Sequence, residues 1–119
     1  MNYVIEGKPL SVNHAKKPVR IRGLLMMVNT KEAKAWKLAA CWSLKAQRGT
    51  RPTITGPCAL SIASYLSTTN GDVDNYAKAT LDALQEAGII ANDRQVQRMC
   101  ISKAKDAKRP RVEINIETL

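Results

Sequence analysis

The sequence predicts one α/β (α+β) domain over residues 1–119, in the order β-α-β-α-β-β, with a small mixed sheet and two main helices. Three observations carry this. Residues 58–66 are small or apolar on both alternating faces, as in an interior strand covered on both sides. Residues 29–48 and 72–88 show helical spacing of apolar side chains between cap and stop signals. Near the end, Val112, Ile114 and Ile116 alternate with Arg111, Glu113, Asn115 and Glu117, the pattern of a half-buried strand. A chain of 119 residues also matches the size of a single domain.

Residues 1–6 read as a strand, because Tyr3, Val4 and Ile5 favour extended backbone and Gly7-Lys8-Pro9 stops it. Residues 11–22 read as a loop interrupted by Pro18 and crowded with Asn13, His14, Lys16, Lys17, Arg20 and Arg22. Such a loop can wrap phosphates or simply be mobile. Leu24 to Val28 reads as a short strand or a buried connector. Asn29 is the expected cap of the first helix, with Glu32 three residues on completing a capping box. That helix runs to about Gln47 and stops at Gly49. At about 100° per residue, Lys34, Lys37, Lys45 and Arg48 share one face. Ala35, Trp36, Ala39, Ala40, Trp42 and Ala46 cover most of the other. The basic stripe suits a nucleic-acid backbone or, equally, a solvated face.

After the strand at 58–66, Ser67-Thr68-Thr69-Asn70-Gly71 is turn chemistry. The second helix starts at Asp72 or Val73, runs to Ala87, and ends at Gly88. Tyr76, Ala77, Thr80, Leu81, Leu84 and Ala87 fall on its buried side. Asp74, Asn75, Lys78, Asp82 and Gln85 fall opposite. Strands follow at 95–103 and 111–117, joined by a basic hairpin loop at 105–110.

The formal charge is +9, and it is unevenly spread. Residues 1–51 hold 11 Lys and Arg against only Glu6 and Glu32. Residues 52–99 hold 3 basic residues against 5 acids, so the acids cluster inside a basic chain. A surplus of this kind points to nucleic acid or an anionic membrane as partner, with a merely soluble basic surface as the plainer alternative. Cys41, Cys58 and Cys100 are widely spaced and His14 is the single histidine, which argues against a zinc site. Free thiols suit a reducing cytoplasm. The first ten residues contain Glu6 and no long apolar run, so no signal peptide is expected. Leu24 to Val28 is too short to span a bilayer, and no membrane partner is expected.

The densest chemistry lies in Gly71-Asp72-Val73-Asp74-Asn75-Tyr76-Ala77-Lys78. Asp72 and Asp74 sit at a strand-to-helix junction, where both can converge on one ion. Mg²⁺ takes one or two carboxylates plus water and phosphate oxygens. Asp93, beyond the second helix, adds a third acid for a second metal or a stricter geometry. Lys78, one turn after Asp74, can contact a phosphate or an attacking water, and Asn75 can hold a phosphate. Asp82 reads first as a salt-bridge partner of Lys78. A plainer account stands beside this one. Asp before a helix is a favoured cap worth about 1 kcal/mol, and Asp74 with Lys78 is an ordinary helix pair worth roughly 0.2–0.5 kcal/mol. A protein that only binds nucleic acid, however, gains nothing from carboxylates in its groove.

Asp72-Val73-Asp74-Asn75-Tyr76-Ala77-Lys78, Leu81-Asp82-Ala83-Leu84, Ala87-Gly88-Ile89-Ile90 and Asn92-Asp93-Arg94-Gln95-Val96 together resemble the RusA family of Holliday junction resolvases. The resemblance is dense over residues 72–96, about a fifth of the chain, and reaches loosely to Pro9, Ser11 and Asn13. It implies a homodimeric, Mg²⁺-dependent endonuclease, with Mn²⁺ as the alternative ion and no small-molecule cofactor. Such enzymes act in DNA recombination and repair, in bacteria or phage-infected cells. They bind four-way DNA and nick two opposing strands symmetrically. By position, Asp72, Asp74 and Asp93 match the family's catalytic, metal-binding acids and Lys78 its active-site lysine. Asn92 stands where the family often has a further acid, which bears on metal affinity. Asn13, His14, Lys16, Lys17, Arg20, Arg22, Lys34, Lys37 and Asn75 are the expected DNA contacts. Two other readings stay open: a non-catalytic basic DNA-binding module, and a broader nuclease for flaps and forks.

Overall fold

The computed structural model describes residues 1–11, 15–69 and 71–119. Asn13, His14 and Asn70 lie outside the described residues. Among the described residues, six strands and two α-helices follow in the order β1 (Asn2–Glu6), β2 (Lys16–Ile21), β3 (Leu24–Asn29), α1 (Lys31–Arg48), β4 (Cys58–Leu66), α2 (Ala77–Glu86), β5 (Val96–Lys105) and β6 (Arg111–Thr118). Short 3-10 turns occupy Val73–Tyr76 and Asp93–Gln95.

A four-stranded mixed sheet runs β1-β6-β4-β5. β4 pairs parallel with β5 and antiparallel with β6, and β6 pairs antiparallel with β1. A parallel neighbour demands a crossover, and α2 supplies it between β4 and β5. The expected hairpin at 105–110 is therefore corrected. β5 and β6 lie on opposite sides of β4, and their connection passes the end of β4, where the Asp106 N–H donates to the Leu66 carbonyl at 2.8 Å.

Both helices pack on one face of the sheet. Tyr3, Ile5, Leu60, Ile62, Val112, Ile114 and Ile116 meet Ala40 and Leu44 of α1 and Ala83 and Leu84 of α2. The fully buried alanines let the helices approach closely in a core that has no Phe. β4 is interior in its hydrogen bonding but covered on one side only. Ser61 is exposed and Ala63 and Tyr65 are half-buried, so small side chains here mark an open face rather than a second buried one.

Residues 16–21, expected as loop, form a strand instead. They pair with β3 across the two-residue turn Arg22-Gly23, where both residues have positive φ, 50° and 80°. Such a turn matches the twist of a two-residue hairpin, but arginine rarely signals it. Pro18 is tolerated because both strands of an isolated pair are edges. β3 is exposed over Leu24, Leu25, Met26 and Met27, so it is a strand and not a buried connector.

α1 also departs in detail. Thr30, not Asn29, is the cap, with its Oγ1 accepting from the Ala33 N–H at 3.1 Å. Trp42, placed on the covered face by its spacing, is 67% exposed. The second helix is divided. Val73–Tyr76 is a 3-10 turn and the α-helix proper starts at Ala77, with Ala77, Thr80, Leu84 and Ala87 buried as expected. Gly88 closes it at φ 73°, its N–H donating to the Gln85 carbonyl at 3.1 Å.

Candidate active site

β4 delivers the chain to the open end of the sheet, and the segment after it carries Asp72 and Asp74. Lys103, which pairs in register with Ser64 on β4, reaches up from β5 to hold that segment. Its Nζ donates to the carbonyl of Thr69 at 2.8 Å and also to that of Gly71. Gly71 leaves room for the Tyr76 ring. A Cβ there would lie 2.5 Å from the Tyr76 Oη. Loop and 3-10 turn are thus pressed together around a residue without a side chain.

Asp72 sits at the cap position of the 3-10 turn with extended backbone, yet its side chain makes no capping bond. The turn is closed instead by the Asn75 N–H on the Asp72 carbonyl at 3.1 Å. Asp72 and Asp74 are both exposed. A capping role therefore does not account for the Asp72 carboxylate. Lys78 begins the next turn and pairs with Asp82 Oδ1 at 2.9 Å, as its i, i+4 spacing suggests. The hydrogen bond and charge of Asp82 raise the Lys78 pKa above its ordinary value, and the nearby charge of Asp93 adds to this.

Asp93 opens the second 3-10 turn and is also exposed. Its N–H donates to Gln85 Oε1 at 3.1 Å, which fixes it beside the last turn of α2. Asn92 caps that turn, its Oδ1 accepting from the Arg94 N–H at 2.9 Å, while Gln95 Oε1 accepts from the Asn92 N–H at 2.7 Å. Asn and Asp serve about equally well as caps, so Asn92 keeps the local geometry that a carboxylate there would supply.

The acids are thereby divided along α2. Asp72 and Asp74 precede its first turn and Asp93 follows its last, and a helix of 10 residues is roughly 15 Å long. Among the described residues, no group of three or more His, Cys, Asp or Glu side chains is placed to hold one metal ion.

Of the expected DNA contacts, Lys16, Lys17, Arg20, Arg22 and Lys34 are exposed, while Lys37 and Asn75 are half-buried. The β2–β3 register puts Lys16 and Arg20 on one face of the hairpin and Lys17 on the other. Arg48, at the end of the basic helix face, is committed elsewhere. Its guanidinium donates to the Gly88 carbonyl at 2.7 Å and so ties α1 to the end of α2. Lys103, Gln85 and Gln95 shape the acidic loops, roles that their positions in the sequence do not reveal. Only the parallel pairing of β4 with β5 brings Lys103 to Gly71.

A sequence model of the family described as Endodeoxyribonuclease RusA matches residues 6–117. No curated protein matches the chain. No helix among the described residues is long and apolar enough to cross a membrane.

Proposed function

The chain belongs to the RusA endodeoxyribonuclease family, and on that premise we propose a Mg²⁺-dependent nuclease that resolves four-way DNA junctions as a homodimer. The observation that carries this reading is the exposed Asp72 and Asp74 pair, unused for capping, with Lys78 one turn on and a +9 chain around it. Carboxylate oxygens are hard donors of the kind Mg²⁺ or Mn²⁺ takes. A bound divalent cation there supplies charge for the phosphate and acidifies a water. Lys78, its pKa raised, keeps its proton at neutral pH and serves as a cation on the scissile phosphate rather than as a base. Asn75 orients the strand, and Lys16, Lys17, Arg20, Arg22, Lys34 and Lys37 hold phosphates, so binding falls steeply with salt.

One chain separates Asp93 from the other two acids, and a two-fold dimer removes that separation. In an isologous interface residue i of one protomer meets j of the other, and j meets i. Asp93 of one protomer then joins Asp72 and Asp74 of its partner, twice, and two equal sites face the two equivalent phosphates of a junction. The β2–β3 hairpin supports pairing. Leu24, Leu25 and Met27 are each at least 60% exposed, and a lone two-stranded hairpin is marginal in water. Apolar exposure of this kind marks an interaction surface.

Cleavage of a four-way junction, a flap and a linear duplex, with Mg²⁺ and with chelator, tests the proposal. Paired symmetric nicks in the junction alone support it. Equal cutting of flaps favours a broader branched-DNA nuclease. Binding without scission under any divalent ion, unchanged in Asp74→Asn, leaves only a DNA-binding module.

A further inference from the structure

Beside the acidic loop lies a cavity of about 860 Å³, whose wall includes two of the proposed DNA contacts, Lys16 and Asn75. Trp36, Tyr76, Lys8, Lys16, Glu32 and Asn75 are among its lining residues. Two aromatic rings and two ammonium groups face one volume, against a single carboxylate. Stacking surfaces flanked by cations are what a nucleotide requires: rings for the base, lysines for the phosphate. The volume is within the range of small-molecule sites.

A second observation points the same way. Among the described residues, the Nε1–H of Trp36 is shielded from solvent and has no acceptor. An indole N–H left unpaired is costly, a cost that an acceptor brought in by a ligand would relieve. Trp36 leans against both apolar clusters, so its ring is held in place before anything binds.

The cavity is continuous with the proposed chemistry, because Gly71, Asn75 and Tyr76 line it and the same segment carries Asp72 and Asp74. The segment that carries those carboxylates therefore also walls the cavity. Bases in intact duplex are stacked and paired, and the cost of extrusion is least for one already unpaired. We propose that this cavity receives an unpaired nucleobase at the branch point of the DNA, and that its occupancy separates branched from linear substrates. The proposal rests on the nuclease reading for its source of bases.

Trp36 reports the test directly. The chain has two Trp, and Trp42→Phe at an exposed position leaves Trp36 as the sole indole. Its emission is followed in chelator, so that nothing is cut, while labelled DNA reports binding by anisotropy. A four-way junction, a linear duplex of equal length and deoxyadenosine monophosphate are the three arms. The expected result is quenching by the junction with the same midpoint as its anisotropy, and none by the duplex at saturation. Thr68→Phe, which fills the cavity from its loop wall, abolishes the quench and weakens junction binding about 5- to 150-fold with duplex binding unchanged. Saturated junction binding with unchanged Trp36 emission overturns the cavity role and leaves the nuclease reading standing. Quenching by the mononucleotide but not the junction assigns the cavity to free nucleotides and overturns the branch-point role. Absence of junction binding overturns the nuclease reading, and the mononucleotide arm then decides the cavity: no quench there overturns it too.

Discussion

Lys103 on β5 and Thr69 in the loop after β4 are joined by a 2.8 Å hydrogen bond from Nζ to the carbonyl oxygen. The same ammonium binds the Gly71 carbonyl, one residue before Asp72. It acts on the acids by holding their backbone, without touching a carboxylate. Lys103→Met keeps the aliphatic length and removes the donor. Outer-shell partners of this kind typically change metal affinity about 10- to 100-fold. A Mg²⁺ titration of junction cutting should show a half-saturating concentration raised by about tenfold or more, with junction affinity in chelator unchanged. An unshifted titration would show that the loop holds its shape unaided.

Gly71 presents a steric demand. A Cβ would approach the Tyr76 Oη to 2.5 Å and its Cζ to 3.2 Å. Gly71→Ala must push the ring aside, at a cost of about 1–2 kcal/mol. Tyr76→Phe removes the nearest atom, so the double variant should recover part of that loss. Denaturant midpoints of both single variants and the double give the coupling. Additive losses would mean that the loop yields and the ring does not.

How much of this was legible beforehand depends on how local each feature is. β4 has the bounds its apolar run suggests, and Gly88 ends the second helix because only the backbone there decides it. Asp72, Asp74 and Lys78 fall within one short segment, so their proximity could be read from the chain. The placement of Asp93 and Lys103 could not. Asp93 follows Asp72 and Asp74 closely in sequence, yet α2 intervenes between them as a rod. Lys103 reaches Gly71 only through a parallel pairing that no spacing reveals. The β2–β3 hairpin was hidden by Pro18 and by an arginine in a turn position that usually takes Asn or Gly. Trp42 shows the remaining limit: a helical wheel orders residues around an axis but does not say which sector faces the sheet.

Acid should loosen the end of the molecule where β4 and β5 finish and the chain turns toward β6. The Arg109 hydrogen bond holds the Glu6 carboxyl below its ordinary 4.5, with Nε to Oε2 at 3.1 Å. Asp106 is held below its ordinary 3.8, first by the Arg111 hydrogen bond at 2.8 Å. Both folded values lie under the unfolded ones, so between them the unfolded chain binds more protons and stability rises with pH. The contribution is complete above about pH 5 and is lost as pH falls through the depressed values. Glu6→Gln should lower Tm slightly at pH 7 and flatten the decline of Tm on acidification. A parallel decline in both proteins would mean that other carboxylates govern acid unfolding.

Lys78 is held protonated by Asp82 first and by Asp93 in addition. With its pKa raised, the ammonium persists through neutral and mildly alkaline pH, so any rise of cutting rate with pH in that range belongs to the attacking water. Lys78→Arg keeps the charge and should retain activity to within about tenfold, with the shape of the pH profile unchanged. Lys78→Met removes the cation and should lose about 10²- to 10³-fold in single-turnover rate, as for other lost transition-state donors. A profile whose alkaline limb vanishes in Lys78→Arg would make the lysine a base after all.

Asp93 and the Asp72–Asp74 pair, set at opposite ends of α2, give the sharpest test of a shared site. Asp74→Asn and Asp93→Asn are each expected to abolish cutting as pure proteins. If each site draws Asp93 from the partner, a mixed dimer of the two variants has one site with both defects and one with none. Mixing the inactive proteins, with exchange of protomers, should therefore restore single nicks in a four-way junction, in at most one strand per bound dimer. A site built within one chain leaves both halves of the mixed dimer defective, and no nick appears. Leu25→Glu with Met27→Glu, on the exposed hairpin, supplies the control for assembly. Sedimentation should show this variant as a monomer that binds duplex DNA but neither cuts a junction nor rescues either aspartate variant. Restored nicking in the mixture places Asp93 across the two-fold axis, and its absence, with dimers present by sedimentation, removes the composite site.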